Sequence, residues 1–508
     1  MKQRGKVYLV GAGPGSPGLI TVRALECIRK ADVIIYDYLS NPVFLKSAKP
    51  SVKIIYAGKK AGNHALSQAA IQRLMIREAR AGRTVIRLKG GDPFLFGRGG
   101  EEAENLHKLR IPFEVVPGVT AATAAPAFAG IPITHRSHAS AVAMITGHED
   151  PAKIGDQKFR TSIDYKNLAQ FRGTLVFFMG VERAARIASE LIRNGKNPST
   201  PAAIVRWGTT GKQQTLTGKL VEIGKRAQKS GFRPPALIVV GDVVGLRKQL
   251  NWFEKLPLFG KRIVVTRTRN QAGELRKRLE ELGADVLELP TIEIQPPEDP
   301  TPLRQAISRI HLFDWLVFTS PNGVDFFFAE FLKRRGDIRR LGEVRLAAIG
   351  PATAARLQER GLSVDLMPRA YVAEQVAAAM KKTPGRGRVL LARADIARDA
   401  LPRLLRQAGY AVEDVIAYRT KRPAKSEAVA ELMERGADLV TFTSSSTAEN
   451  FAGLVGKKRI RKIPGQPRFV SIGPITSATM QKLGLKVARE AKVYTIQGLV
   501  DCIRNIYH

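Results

Sequence analysis

The second half of this chain is written twice, and that duplication limits its fold more than any other feature. KRIVVTRTRNQAGELRKRLEELGADVLELPTIEI from Lys261 aligns with GRVLLARADIARDALPRLLRQAGYAVEDVIAYRT from Gly387. FTSPNGVDFF from Phe318 aligns with FTSSSTAENF from Phe442, and IGPATAARLQERGL from Ile349 with IGPITSATMQKLGL from Ile472. Three blocks recurring in one order at a nearly constant offset mark a repeated structural unit. Each block opens with a short apolar run and continues in a helical pattern, so two similar α/β lobes facing each other across a cleft are expected.

The first half follows the same grammar without the repeat: VYLVGAG, LITVRALECIRKA, DVIIYD, TVIRLKGGDP, GRGGEEAENLHKLR. Strand-like runs alternating with helical patterns predict parallel α/β units. At LRKQLNWFEKLPLFGKR a polar helix end gives way to Pro257 and Gly260 before the new strand RIVVTR. With 508 residues the chain is long enough for more than one domain, and the predicted domains are residues 1–255 and 261–508.

The formal charge of +37, from 82 Lys and Arg against 45 Asp and Glu, makes nucleic acid, anionic membrane and polycarboxylate substrates all possible partners. Basic residues are spread over both halves, with no aromatic-interleaved stripe and no C-x-x-C finger, which favours a generally basic surface over a nucleic-acid site. The longest apolar stretches, such as TLVFFMGV, fall short of the roughly 18 residues of a spanning helix, so no membrane segment is expected. The start MKQRGKVYLVGAG has too short an apolar segment for a secretion signal. Cys27 and Cys502 are the sole cysteines, which gives no disulfide framework and fits a reducing cytoplasm.

The loop GAGPGSPG, Gly11 to Gly18, contains a G-x-G-x-x-G at Gly13, Gly15 and Gly18, and Asp37 follows about where a dinucleotide fold places its ribose-binding acid. A nicotinamide-dependent dehydrogenase is therefore one reading. Against it, Pro14 and Pro17 lack the N–H groups that a pyrophosphate cradle needs. A tight turn without ligand, or a ligand needing close backbone approach without phosphate binding, both satisfy the loop. S-adenosylmethionine is such a ligand, because its sulfonium favours carbonyl oxygens and carboxylates. LKGGDPFLFGRGGEE then places Gly90, Gly91 and Asp92 at a strand end, where open α/β sheets bind ligands. His135, His138 and His148 fall close together, but without Cys or carboxylate at ligand spacing no metal site is expected.

Taken together, VYLVGAGPGSPGLIT, YDYLSNP, YAGKKAG, RLKGGDPFLFGRGGEE, VPGVTAATAAPAFAGIPITHR, LVFFMG and VVGDVV resemble the uroporphyrinogen-III C-methyltransferases, within the tetrapyrrole methylases, over about residues 5–250. The resemblance implies two α/β lobes with S-adenosylmethionine between them, a homodimer through this half, and two methyl transfers from the cofactor to uroporphyrinogen III, giving precorrin-2. Position by position it implies Asp37 as general base and Lys59 as general acid. For the cofactor it implies Pro14, Gly90, Gly91, Asp92, Leu95, Thr120, Ala121, Met179 and Gly208. Ser16 departs from the Asp that many members carry, and HEDPAKIGDQKFRTSIDYKNLA is longer than usual, which blurs the alignment between Gly147 and Gln170.

In the repeated half, strands end in Thr319-Ser320-Pro321 and Thr443-Ser444-Ser445, each opening a helix. Ser or Thr caps and Pro at the first helical position leave amides facing outward, which suits anions. IGPATA, with Thr353, and IGPITS, with Thr476, repeat the device, so Thr319, Ser320, Thr353, Thr443, Ser444 and Thr476 are candidate carboxylate-binding positions. For any one of them alone, an ordinary cap is the simpler reading. The set, with TR at Thr266, resembles the uroporphyrinogen-III synthases over about residues 261–508. That implies ring closure of hydroxymethylbilane without a cofactor, a lobe at about 296–417 with the other discontinuous, and Tyr418 of AYRT assisting the departing hydroxyl.

The expected fold class is thus α/β, a two-lobed tetrapyrrole methylase followed by a two-lobed synthase. The expected partners are small tetrapyrroles, not nucleic acid or membrane. The competing function is a methyltransferase whose C-terminal half is degenerate or regulatory.

Overall fold

The computed structural model describes residues 5–58, 66–147, 163–266, 272–368, 373–382, 387–397, 399–421 and 427–507. They form two compact units, one of residues up to Ile263 with 277–286 and 503 onward, the other of 264–276 and 287–502. The architecture is α/β throughout, with four five-stranded sheets.

The first sheet comprises β1 (Lys6–Gly11), β2 (Val33–Tyr36), β3 (Lys53–Tyr56), β4 (Thr84–Lys89) and β5 (Phe113–Val116), all parallel in the order β3-β2-β4-β1-β5. Both faces are covered, which explains the near-continuous apolar runs. Val7, Leu9, Val33, Ile35 and Val85 pack on one side with Ile71, Met75 and Leu106. Val10, Ile34, Ile86 and Leu88 pack on the other with Ala24 and Ile28.

The second sheet comprises β6 (Val142–Thr146), β7 (Thr174–Phe178), β8 (Pro201–Arg206), β9 (Gln214–Lys219) and β10 (Ala236–Val240). Its order is β6-β7-β10-β8-β9, and only β6 and β7 run parallel. The expectation of parallel units thus holds for the first sheet and not for this one. β8 and β9 are joined by a seven-residue connection, short enough for an antiparallel turn and too short for a helical crossover.

Next come β11 (Arg262–Val265), β12 (Asp285–Glu288), β13 (Glu293–Gln295), β14 (Trp315–Phe318), β15 (Arg345–Ala348), β16 (Arg388–Ala394), β17 (Ala411–Lys421), β18 (Leu439–Phe442), β19 (Arg468–Ser471) and β20 (Val487–Glu490). They form two sheets, β12-β11-β18-β19-β20 and β13-β17-β16-β14-β15. Under the repeat, β11, β12, β14 and β15 correspond to β16, β17, β18 and β19. Each sheet therefore takes two strands from one copy and two from the other, in the same order. The lobes are not the repeats, because the first strands of the copies are exchanged. β13 pairs antiparallel with the end of β17, Glu293 opposite Lys421.

Candidate functional site

In the first unit the site is built on backbone contacts at the C-terminal ends of β1, β4 and β5. Gly13 and Gly91 exchange two hydrogen bonds, 3.2 and 2.8 Å, which joins the GAGPGSPG loop to the GGDP loop. The Asp92 carboxylate accepts from the Phe94 and Leu95 amides, at 2.8 and 3.2 Å, and from Gly118 N at 3.0 Å, tying in the segment after β5. A Cβ on Gly118 would lie 2.2 Å from the Gly91 carbonyl oxygen, and one on Gly11 2.5 Å from Gly118 Cα. Three segments thus touch backbone to backbone.

Gly91 has φ +68°, and the nearest atom to a Cβ there would be Ala121 N at 4.0 Å. The space beside it is open and its floor is the main chain of these glycine segments, next to the helix Ala121–Phe128 that Thr120 caps through Ala122 N. Such a floor suits a ligand that approaches main chain closely. Gly208, on the loop after β8, fits against Ala125 of that helix, where its own Cβ would lie 2.3 Å from the Ala125 Cβ. Ser16 N donates to Thr209 Oγ1 at 3.1 Å, and Asn41 Nδ2 to Gly15 O at 2.8 Å. Phe96, beside Leu95, packs its ring 5.0 Å from Phe178, the neighbour of exposed Met179. The structure therefore brings Pro14, Gly90, Gly91, Asp92, Leu95, Thr120, Ala121, Met179 and Gly208 to one region.

Asp37 borders it, because Leu39 packs on Gly90, where a Cβ would lie 2.5 Å from the Leu39 Cβ. One carboxylate oxygen of Asp37 accepts from Leu39 N and Ser40 Oγ, both 3.2 Å, and the other from Arg87 Nη2 at 3.4 Å. Lys59 and His148 lie outside the described residues. The His135 and His138 rings stand 4.9 Å apart, and His135 Nδ1 accepts from Ser137 N.

Sequence reasoning missed the strain around this region. Among the described residues, seven non-glycine residues have positive φ, and Phe96, Arg98, Met179, Trp207 and Thr209 are five of them. Such strain persists where the surroundings over-determine it and concentrates at functional sites. Thr209, β-branched, is the most unusual of the five. Trp207 also meets exposed Tyr38, ring centroids 5.7 Å apart, beside Asp37. No residue-type signal in a single sequence announces this set.

In the second unit the helices begin where the hydroxyl motifs place them. Ser320 caps Pro321–Arg335 through Gly323 N at 3.1 Å, and Ser444 makes a capping box with Thr447 at the start of Ser445–Val455. Pro351–Gln358 and Pro474–Lys482 start at Pro as expected. Thr319, Ser320, Thr443 and Ser444 are half-buried at these ends. Thr353 and Thr476 are buried, 3% and 5% exposed, so their side chains face the core instead of the helix tips. The helices Ser445–Val455 and Pro474–Lys482 meet near their starts: Thr479 Oγ1 donates to Ser445 Oγ at 2.9 Å, and Ser445 Oγ to Ile475 O at 3.3 Å. Tyr418 lies with Ser320, their hydroxyl oxygens 3.0 Å apart, and stacks on Phe326. Burial pushes the Tyr418 phenol pKa up.

Among the described residues no helix is long and apolar enough to cross a membrane. The model of the tetrapyrrole (corrin/porphyrin) methylases matches residues 6–224, and that of the uroporphyrinogen-III synthase HemD matches residues 273–501. A porphyrin biosynthesis protein HemD of Ruminiclostridium josui is 36% identical over 502 residues, covering 98% of this chain and 95% of that protein. A uroporphyrinogen-III C-methyltransferase of Bacillus subtilis (strain 168) is 40% identical over 71% of this chain and 73% of its own length. Among solved structures, a uroporphyrin-III C-methyl transferase from Thermus thermophilus complexed with S-adenyl homocysteine is 40% identical, with TM-score 0.41, covering 47% of this chain and 99% of that one. The chain belongs to the tetrapyrrole methylases in its first half and to the uroporphyrinogen-III synthases in its second, a fusion of the two families.

Proposed function

We propose that the protein performs two consecutive steps of tetrapyrrole synthesis. The second half closes hydroxymethylbilane to uroporphyrinogen III with inversion of ring D, and the first half methylates that product twice to precorrin-2. The observation that carries this reading is the convergence of the Gly13–Gly91 bridge, Asp92, Thr120 and Gly208 beside the Asp37 carboxylate, in a chain whose other half is a synthase. Both substrates are polycarboxylates, which a chain of charge +37 attracts. Pairing of two copies through the first half belongs to the same reading.

S-adenosylmethionine supplies an electrophilic methyl group when bound. Pro14, Gly90, Gly91, Asp92, Leu95, Thr120, Ala121, Met179 and Gly208 are the residues that would hold it. Asp37 takes up a proton released from the methylated ring system, and Lys59 returns one to it. In the second half Thr319, Ser320, Thr443 and Ser444 receive substrate carboxylates at helix N-termini. Thr353 and Thr476, with side chains turned inward, contribute only through the backbone of their turns. Tyr418 donates a hydrogen bond to the departing hydroxyl. Its raised pKa keeps the phenol protonated for that task.

Incubation with hydroxymethylbilane and S-adenosylmethionine under reducing conditions should yield precorrin-2, and an absence of both ring inversion and methyl transfer would overturn the reading. Tyr418→Phe should slow ring closure about 100-fold, the lower end of what a positioned acid contributes. The same variant has a stability signature. The folded pKa lies above the unfolded one, so the contribution of the neutral phenol is complete below about pH 10 and is lost as pH rises through the folded value. Alkaline unfolding followed by circular dichroism should lack that part of the loss in Tyr418→Phe.

A further inference from the structure

We propose that Arg87 is the positioning residue for the Asp37 carboxylate, and that Glu102, buried between Arg87 and Lys89, fixes Arg87 in turn. This rests on Asp37 being the proton acceptor of the methyl transfer.

The alternation of β4 puts Val85, Arg87 and Lys89 on one face of the sheet. That face packs against the helices Gln68–Arg80 and Gly99–Lys108, whose Ile71, Met75, Ala103 and Leu106 form the local core with Val85. A solvated face would suit two cations, yet Arg87 is 3% exposed and Lys89 5%, and Glu102 opposite them is fully buried. Glu102 Oε1 accepts from Arg87 Nε and Lys89 Nζ, both at 3.3 Å, and from Gln68 Nε2 at 2.8 Å. Its Oε2 has no hydrogen-bond partner among the described residues.

Arg87 then reaches out of the core. Nη1 donates to the Ile35 and Leu88 carbonyls at 3.4 and 3.3 Å, and Nη2 to Asp37 Oδ2 at 3.4 Å. Asp37 Oδ1 is held by its own loop through Leu39 N and Ser40 Oγ, so Arg87 alone orients Oδ2 among the described residues. A buried ionic cluster is weak evidence for stability, since apolar side chains of similar volume serve a core as well or better. What apolar side chains cannot do is hold a carboxylate at the edge of the site turned one way. The charged groups facing Asp37 are Arg87 and Lys89 of β4, with Glu102 behind Arg87. Burial and the Arg87 guanidinium push the Lys89 pKa down.

The test uses the full chain with Arg87→Gln, Arg87→Lys, Glu102→Gln and, as reference, Asp37→Asn. Methyl transfer is followed as kcat and as KM for S-adenosylmethionine, with S-adenosylhomocysteine affinity as the check that the first half is folded. Arg87→Gln should lower kcat at least tenfold with KM for S-adenosylmethionine within twofold. Arg87→Lys should recover part of that loss, and Glu102→Gln should lower kcat in smaller degree, again with KM little changed. If Arg87→Gln loses S-adenosylhomocysteine binding, the lysine and Glu102 variants decide. An unchanged kcat in Arg87→Gln, a loss that falls on KM instead of kcat, or equal losses in Arg87→Gln and Arg87→Lys, overturns the inference. Should Asp37→Asn be inactive while Arg87→Gln behaves as wild type, the inference falls and the reading of Asp37 stands. Full activity in Asp37→Asn removes both.

Discussion

Asp37→Asn should cut methyl transfer at least about 100-fold while the same molecules continue to close hydroxymethylbilane to uroporphyrinogen III. The amide keeps the size of the carboxylate, and its oxygen retains the hydrogen bonds from Leu39 N and Ser40 Oγ, so the loop after β2 keeps its shape. The other position becomes an NH₂ group facing the Arg87 guanidinium, two donors with nothing to accept. The site then has no base at that position, and the expected loss is about 10²- to 10⁴-fold, the usual contribution of a positioned acid or base. In the proposed reading ring closure uses Tyr418 and Ser320 of the other unit, whereas the donors to the Asp37 carboxylate among the described residues are Leu39, Ser40 and Arg87 of its own. Labelled methyl incorporation and chromatographic separation of uroporphyrinogen isomers, read from one incubation, check both halves. Equal loss of the two activities would argue against separate sites.

Legibility in the sequence followed the kind of physics that each feature uses. The repeat was readable because each copy needs the same strand-to-helix turns, and Ser320, Ser444, Pro351 and Pro474 stand where those turns occur. The exchange of strands between copies was not readable from the repeat itself. A duplicated pattern specifies what each strand pairs with, but β11 beside β18 and β16 beside β14 satisfy it as well as pairing within one copy. The discontinuous lobe came only from the family resemblance. In the first half the glycines of GAGPGSPG and GGDP could be read because close backbone approach admits few other residues. The antiparallel strands of the second sheet escaped, since ALIVV of β10 is apolar throughout and carries no sign of direction. In TVIRLK likewise nothing local marks Arg87 and Lys89 as core residues, yet both are buried. Burial of a cation depends on a carboxylate brought from a distant helix, which alternation within one strand does not record.

Gly118→Ala should weaken S-adenosylhomocysteine binding, and with it methyl transfer, by contact alone. Gly118 is not among the residues with positive φ, so its backbone conformation is open to alanine. The obstacle is space: the new Cβ would lie 2.2 Å from the Gly91 carbonyl oxygen and 2.8 Å from Gly11 Cα. Both neighbours are main chain, on segments fixed by the Gly13–Gly91 bridge and by the Asp92 bond to Gly118 N, so no flexible side chain can yield. Overpacking of this kind costs about 1–3 kcal/mol and occasionally more. At 1.4 kcal/mol per factor of ten, that range is roughly a 5- to 150-fold loss of affinity if the strain falls on the bound state. Gly100→Ala is the matched control. A Cβ there meets nothing within 4 Å, and the position lies in the helix Gly99–Lys108, where alanine is the better helix former. Calorimetric titration with S-adenosylhomocysteine should therefore separate the two variants, which differ only in where one methyl group is added. Normal binding by Gly118→Ala would mean that the junction of β1, β4 and β5 yields to a methyl group, and that it is not the floor of the cofactor site.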